Sequence, residues 1–164
     1  MTGSPATSSG IAAIAEFLED QGVEFQLVEH SPTMSAYAEA RATRRFARQV
    51  AKTVVLHEDD RYVLAVVPAS QRVDLEKLRD VLGASERLRL ATEQELAADF
   101  PSLEVGATPP IGPLLPLAEI VDARLLMLDS ILCSAGDHRH SLLIDPREVV
   151  RVADARVSDI CDSW

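Results

Sequence analysis

The stretch KTVVLHEDDRYVLAVVP, residues 52–68, constrains the fold more than any other part of the chain. Two valine-rich apolar runs flank the short polar segment HEDDR. This pattern is typical of a β-hairpin with a short loop, and strands that are apolar at consecutive positions are usually buried on both faces. We therefore predict a hairpin that lies in the middle of a sheet.

Other segments predict helices and strands that do not alternate strictly. The strand candidates are the alternating run from Val23 to Leu27 and the segments AEIV, SILCSA and HSLLI. Helices are predicted from Ile11 to Gly22, over about residues 35–48, and after the capping residues Asp74, Thr92 and Asp145. EVGATPPIGPLLP is too rich in proline and glycine for a helix or an inner strand, so it predicts a shaped loop. The pattern indicates a mixed α/β fold.

The length of 164 residues is about that of one domain. Residues 1–10 are rich in Ser, Thr, Gly and Pro, which predicts a disordered tail. No repeat or shift in composition divides the remainder, and the hydrophobic share of 47% is enough for one core. We therefore expect a tail over residues 1–10 and one domain over residues 11–164.

Charge and apolar patterning exclude several classes of protein. The net charge of −10 argues against a broad surface for duplex DNA. No run of about 18 apolar residues could span a bilayer, and the N-terminus lacks the pattern of a secretory signal. Cys133 and Cys161 form neither a disulfide framework nor a metal-binding spacing. These features predict a cytoplasmic protein without a membrane partner.

Lys52 directly precedes a buried strand, and a charge there has two interpretations. Lysines at strand edges usually extend their ammonium group to water. Alternatively, a cation beside a glycine-rich loop can form a pocket for an anion or a polarised carbonyl. Gly106 and Gly112 can expose backbone N–H groups to a ligand, while Pro109 and Pro110 stiffen the loop. Its spacing matches neither a P-loop nor a dinucleotide-binding motif, so it predicts no nucleotide cofactor.

His138 and His140 stand two residues apart and would share one face of a strand, so they could bind a metal. The sequence offers no obvious third ligand, and two surface histidines near a turn are the simpler interpretation. No motif of a serine hydrolase or a zinc protease is present. We therefore predict no metal and no cofactor.

Five segments in register resemble the YbaK/ProX aminoacyl-tRNA deacylases, a family related to the editing domain inserted in bacterial prolyl-tRNA synthetase. They are VEHSPTMSAYAEA, VAKTVVL, YVLAVVPASQRVDLEKLRDVLG, EVGATPPIGP and SAGDHRHSLLIDPREVVR. The resemblance covers about residues 11–152. It implies a single-domain YbaK-like fold, with a mixed, mostly antiparallel sheet or partial barrel flanked by helices.

The resemblance also implies a set of site residues. Lys52 matches the family's lysine at the editing pocket, and Thr53 stands where some members have asparagine. His30 corresponds to a histidine common near that pocket, and His140 is a further candidate. The G-x-x-x-P loop beside the ester would comprise Gly106, Ala107, Thr108, Pro109 and Pro110, followed by Gly112. The opposite wall would be the turn formed by Ser134, Ala135 and Gly136.

The function that this resemblance implies is trans-editing by a free-standing deacylase. Backbone donors would orient the ester, and water or a group of the substrate would attack it, so no protein nucleophile is required. The expected substrate is the acceptor end of mischarged aminoacyl-tRNA, most simply tRNA(Pro) carrying alanine or cysteine, with prolyl-tRNA synthetase as a candidate partner. Two alternatives remain: a non-catalytic YbaK-fold module that binds a synthetase or another protein, and a metal hydrolase that uses His138 and His140.

Overall fold

In the part of the chain that the computed structural model describes, residues 5–111 and 117–162, eight strands form one sheet and five α-helices accompany it. The helices are α1 (Pro5–Asp20), α2 (Ala36–Ala42), α3 (Leu75–Leu82), α4 (Glu93–Asp99) and α5 (Pro146–Ala153). The strands are β1 (Phe25–Glu29), β2 (Val50–Glu58), β3 (Arg61–Pro68), β4 (Arg89–Leu90), β5 (Ala118–Asp122), β6 (Ile131–Ser134), β7 (His140–Ile144) and β8 (Arg156–Ser158). Single 3₁₀ turns cover Ala47–Gln49 and Ala123–Met127.

The predicted hairpin is confirmed and is central. Strands β2 and β3 pair antiparallel from Ala51 opposite Pro68 to Glu58 opposite Arg61. The strand order is β1-β7-β6-β2-β3-β5-β8, with β4 beside β2. Pairings β1–β7, β6–β7, β2–β3 and β2–β4 are antiparallel, whereas β2–β6, β3–β5 and β5–β8 are parallel. The predicted mixed α/β fold is therefore confirmed, and its sheet is open rather than closed into a barrel.

Helices α1 and α5 cover one face of the sheet. Ile14 of α1 and Val149 of α5 pack in one cluster with Ala51, Val66 and Cys133. All five side chains are buried, and burial of an aliphatic side chain contributes roughly 1.5–3 kcal/mol to stability. This face therefore holds the larger part of the core.

The opposite face packs against α2 and α3. Leu56 contacts Leu78 of α3 in one cluster, and Val50 contacts Ala40 of α2 in another. Side chains alternate between the faces of a strand, so Lys52, two residues after Val50, projects from this same face. The sheet thus positions the lysine between the α2 and α3 clusters.

Capping residues begin three helices where the sequence predicts. The side chains of Asp74, Thr92 and Asp145 each accept a hydrogen bond from a backbone N–H group of the following helix. Thr92 and Glu95 form a complete capping box. These caps fix where α3, α4 and α5 begin.

Two helix boundaries differ from the prediction. Helix α1 begins at Pro5, within the stretch predicted as a tail, and proline suits the first turn of a helix. Helix α2 ends at Ala42 rather than near residue 48. Arg44 adopts a positive φ of 57°, and the Arg45 N–H donates to the Ala40 carbonyl at 2.8 Å, which closes the helix in the manner of a Schellman cap. Residues 1–4 of the predicted tail lie outside the described residues.

Glu119 of β5 is a carboxyl group buried in this fold. The residue is 3% exposed, and neither carboxyl oxygen has a hydrogen-bond partner among the described residues. Burial raises the pKa of Glu119 to about 9. A buried carboxyl without a partner is costly to ionise, so the folded protein holds it protonated at neutral pH.

Glu119→Gln should raise the melting temperature at pH 8 and leave it nearly unchanged at pH 4. The pKa of this carboxyl is raised on folding, so its contribution is fully present below the unfolded pKa and is lost as pH rises towards about 9. Glutamine carries no ionisable proton and avoids that loss. Thermal melts at both pH values test this, with exposed Glu86→Gln as the control. Equal shifts at the two pH values would contradict it.

Candidate functional site

A small cleft lies beside α2, on the sheet face that carries Lys52. It is lined by His30, Thr33, Ser35, Glu39, Gly106, Ser134, Asp137 and His138. These residues come from the end of β1, from α2 and its N-cap, from the loop before β5 and from the β6–β7 turn. Four separate parts of the chain therefore meet at one place.

Backbone hydrogen bonds hold the rim of the cleft. The N–H groups of His30 and Thr33 donate to the carbonyls of Arg139 and His138, each at 2.9 Å. The Glu104 N–H donates to the Gly136 carbonyl at 2.9 Å, and the His138 N–H donates to the Glu104 carboxylate at 2.8 Å. Three loops are thus joined into one frame, and most of these bonds do not depend on side-chain identity.

Two glycines allow the frame to turn. Gly106 has φ 87° and Gly136 has φ 102°, conformations that residues with a side chain rarely adopt. A Cβ on Gly136 would also lie 3.3 Å from Leu103 Cδ2. A Cβ on Gly106 would meet only ordinary contacts, at 3.7 Å from His138 Cε1 and from the Met34 carbonyl oxygen. Gly106 is therefore required for its backbone angle, whereas Gly136 is required for both angle and space.

Strand register places Lys52 beside Ser134, which lines the cleft, although Lys52 itself is not a lining residue. Strands β2 and β6 are parallel, with Ala51 paired to Cys133, so the next residues, Lys52 and Ser134, are neighbours whose side chains share a face. Ser134 in turn pairs with Ser141 of β7. Lys52, Ser134 and Ser141 form a polar row across three adjacent strands, and Ser134 lines the cleft.

The ammonium group of Lys52 is partly dehydrated. Burial lowers its pKa, the nearby Cys161 raises it, and the positive charge of Arg72 lowers it further. Among the described residues, no carboxylate forms an ion pair with Lys52 or Arg72. Two cations without an acidic partner form an environment that favours an anion or a developing negative charge.

A second feature of the cleft is a hydrogen-bonded chain from His30 through Ser141 to Glu39. His30 Nδ1 donates to the Ser31 carbonyl at 2.8 Å, so that nitrogen carries a proton. His30 Nε2 lies 2.8 Å from Ser141 Oγ, and the same hydroxyl is hydrogen-bonded to the Glu39 carboxyl. Ser141 and Glu39 are buried. Because His30 and Glu39 both line the cleft, the chain runs along its wall.

Two proton placements satisfy these bonds. In one, Glu39 is protonated and donates to Ser141, which donates to His30. In the other, His30 is an imidazolium that donates to Ser141, which donates to a Glu39 carboxylate. The number of protons is the same in both, so a proton can move between His30 and Glu39 without changing the net charge. Burial raises the pKa of Glu39, while the hydrogen bonds to Ser141 and Ser134 and the charge of His30 lower it.

The structure brings together some of the predicted site residues and separates others. His30, Gly106 and Ser134 line the cleft. Behind them, the following residues are buried: Ala107, Thr108, Pro109, Pro110, Ala135 and Gly136. Thr53 follows Lys52 on β2 and therefore projects from the opposite face, with its Oγ1 buried and without a partner among the described residues. Gly112 lies outside the described residues.

His140 does not line the cleft. Its Nδ1 lies 3.0 Å from the Asp137 carboxylate and its Nε2 lies 3.9 Å from Glu29, so it braces the β6–β7 turn. Of the two histidines at positions 138 and 140, His138 is the one that lines the cleft, and sequence reasoning weighed it only as a metal ligand. Within residues 5–111 and 117–162, no group of three or more His, Cys, Asp or Glu side chains could hold a metal ion.

Sequence reasoning also missed Glu39, Ser141 and Asp137. The only available signal for Glu39 was a lone acidic residue in the otherwise alanine-rich and basic helix AYAEARA. A more open depression, lined by Glu19, Glu24 and Asp145 among others, lies elsewhere on the molecule. Its acidic rim is unsuited to an anionic ligand.

Comparisons with known proteins find one family model and several solved structures that match this chain. A family model described as an aminoacyl-tRNA editing domain matches residues 30–152. A crystal structure of a proposed trans-editing enzyme for prolyl tRNA synthetase is 25% identical, with a TM-score of 0.81, and the match covers 99% of this chain and 100% of that chain.

Two further structures share the fold. A hypothetical protein is 22% identical, with a TM-score of 0.82, over 91% of this chain and 99% of that chain. A scaffold protein from computational epitope grafting is 23% identical, with a TM-score of 0.80, over 94% of this chain and 98% of that chain. No curated protein matches the chain. Among the described residues, no helix is long and apolar enough to cross a membrane.

Ser141→Ala should lower the free energy of unfolding by about 1–3 kcal/mol, because it removes one of the two hydroxyl groups, those of Ser141 and Ser134, that hydrogen-bond to the buried Glu39 carboxyl. Urea denaturation at pH 7 measures this change. Ser130→Ala, which truncates an exposed serine directly before β6, is the matched control and should change stability by less than about 0.5 kcal/mol. Equal stability of the two variants would show that the Ser141 hydroxyl does not hold the network.

Proposed function

The chain belongs to the aminoacyl-tRNA editing domain family, and from this membership we propose that it is a free-standing deacylase that hydrolyses the ester of mischarged aminoacyl-tRNA. The observation that carries the proposal is Lys52, a partly dehydrated cation without a carboxylate partner among the described residues, beside a narrow cleft within the matched region. A site of this kind suits a substrate that is anionic and passes through an oxyanion.

The proposed reaction is attack of water on the ester carbonyl, with the ribose hydroxyl of the terminal adenosine as the leaving group. Lys52 would either bind a phosphate next to that adenosine or stabilise charge on the carbonyl oxygen. Backbone N–H groups of the loop that begins at Gly106 would orient the ester. No nucleophilic side chain of the protein is needed for this reaction.

The attacking water must lose a proton and the leaving ribose oxygen must gain one, so in this proposal the water proton passes to that oxygen. Both ring nitrogens of His30 are already hydrogen-bonded, Nδ1 to the Ser31 carbonyl and Nε2 to Ser141. His30 therefore shapes the wall of the cleft and does not itself take up the proton.

For specificity, we propose tRNA(Pro) carrying alanine or cysteine. A synthetase discriminates poorly against amino acids smaller than its own, whereas a second, narrower pocket can exclude the larger correct one by steric clash. The cleft is small, and His138 and Gly106 face each other across it. The similar trans-editing structure supports this substrate, and prolyl-tRNA synthetase is the corresponding candidate partner.

The acidic composition favours one alternative, a non-catalytic module that binds a synthetase or another protein. A net charge of −10 is unusual for a protein that binds RNA by itself.

To distinguish the deacylase from the non-catalytic module, the purified protein is incubated with tRNA(Pro) carrying alanine, cysteine or proline and with other aminoacyl-tRNAs. Hydrolysis at the buffer rate for every substrate would favour the module.

Lys52→Ala should reduce single-turnover deacylation of the best substrate by about a hundred- to thousandfold. Loss of one group that stabilises transition-state charge costs roughly 2.7–4 kcal/mol. Stability should hardly change, because the ammonium group forms no ion pair among the described residues. Lys52→Arg should not restore the full rate, since the planar guanidinium needs more room and presents its donors in a fixed fork.

The matched control is Lys77→Ala, which removes the other lysine of the chain. Lys77 already donates to Asp159 and to the Cys161 carbonyl, whereas Lys52 forms no ion pair among the described residues, so loss of Lys77 should leave the rate nearly unchanged. Wild-type rates in Lys52→Ala, with an unchanged melting curve, would mean that Lys52 only extends to solvent and that the site is misassigned.

A further inference from the structure

The segment that leads from the cleft to β2, residues 36–49, is rich in arginines that form no ion pair among the described residues. Arg41, Arg44, Arg45 and Arg48 lie within eight residues, and we refer to these four as the arginine face. Across residues 36–49 the sole acidic residue is Glu39, which is buried. The chain as a whole has a net charge of −10, so its composition does not predict a local excess of positive charge.

The guanidinium groups of the arginine face lack carboxylate partners. Among the described residues, no member forms an ion pair, and the Arg45 Nε atom is buried without a hydrogen-bond partner. Elsewhere in the protein, arginines on several elements are paired with carboxylates: Arg61, Arg87, Arg89, Arg124, Arg147 and Arg151. The guanidinium N–H groups of Arg41, Arg44 and Arg48, which are exposed, are therefore available to bind an anion from outside the protein.

Exposed aromatic and apolar side chains accompany these charges. Phe46 is 64% exposed and Tyr37 is 59% exposed, and Met34 lies nearby in the sequence, also exposed. The guanidinium carbon of Arg48 lies 4.7 Å from the centroid of the Phe46 ring. A guanidinium stacked on an exposed ring is the kind of surface on which an unpaired nucleotide base can stack.

The position of the arginine face links it to the cleft. Ser35 and Glu39, at the start and in the middle of α2, line the cleft, and Arg41 and Arg44 follow in the same segment. Arg48 precedes Lys52 by four residues, which can span at most about 13 Å in an extended chain. A single-stranded end whose last nucleotide enters the cleft must therefore pass close to this surface.

We propose that the arginine face binds phosphates of the tRNA acceptor arm, while Phe46 and Tyr37 stack on unpaired bases near its 3′ end. This inference rests on the proposed function and identifies the surface that guides the substrate to that site. Arginine suits the role because its planar fork binds phosphate oxygens and stacks on rings. Aromatic stacking favours RNA with splayed bases over an acidic protein partner.

The test compares two triple variants that remove the same charge. Arg41→Gln, Arg44→Gln and Arg48→Gln together alter the arginine face, whereas Arg87→Gln, Arg147→Gln and Arg151→Gln together remove ion-paired arginines elsewhere. Arg45 is left unchanged because its Nε atom is buried. Binding of uncharged tRNA(Pro) is measured by fluorescence anisotropy over a range of salt concentrations, and melting curves verify folding.

The arginine-face triple should bind about tenfold more weakly or worse, and the slope of log affinity against log salt should fall by roughly two, since each lost phosphate contact removes about 0.7–0.9. The control triple should bind like wild type. Phe46→Ala should weaken binding of intact tRNA but not of tRNA that lacks its 3′-terminal CCA. Equal losses of affinity in the two triple variants would overturn the proposal. It would also be overturned if polyglutamate displaced tRNA(Pro) as well as unlabelled tRNA(Pro) does at matched ionic strength.

Hydrolysis assays separate this inference from the proposed function. Aminoacyl-adenosine retains the ester but lacks the acceptor stem, so the arginine-face triple should hydrolyse it at the wild-type rate while it loses activity on aminoacyl-tRNA. Equal activity of wild type and triple on aminoacyl-tRNA would overturn the arginine face and leave the deacylase intact. Conversely, arginine-dependent binding of tRNA by a protein that hydrolyses nothing would support the arginine face and refute the deacylase.

Discussion

The candidate site depends on a short parallel pairing between β2 and β6. The ladder comprises Val50 with Leu132 and Ala51 with Cys133, and it then stops. At the point where it stops, Lys52 and Ser134 stand side by side on one face of the sheet. Val50, Ala51, Leu132 and Cys133 are all buried, so a slip by one position would disturb packing on both faces and would turn Lys52 towards the core on the α1 and α5 side. Core packing thus fixes the lateral position of the lysine.

Periodicity and capping predicted most of the fold because both are local. The valine-rich hairpin, the three helix caps and the proline-rich loop were all recognisable from neighbouring residues. The end of α2 was not, because it depends on Arg44 in a left-handed conformation that glycine or asparagine usually adopts. The parallel pairings β2–β6, β3–β5 and β5–β8 could not be predicted from the sequence, since nothing local specifies which distant strand will be the neighbour.

The candidate site was predicted only in part, for related reasons. Lys52 could be identified because a charge directly before a buried strand stands out in the sequence. The loop that begins at Gly106 could be identified because glycine and proline lie close together there. Thr53 projects from the face opposite to Lys52, because adjacent strand residues point to opposite faces. Glu39 and Ser141 are 102 residues apart, and their contact exists only because α2 lies across β7. Burial of a carboxyl group is a tertiary property, and no single segment displays it.

The rim of the cleft has a consequence for how such a protein can change over time. Its loops are joined mainly through main-chain groups, which every residue type except proline supplies in full. Substitutions among the exposed side chains of these loops therefore alter what the cleft contacts while the frame persists. This fits a fold retained at TM-scores of about 0.8 with structures that share only 22–25% of its sequence. Selectivity for one amino acid over another can drift through a few side chains, and the scaffold need not be rebuilt.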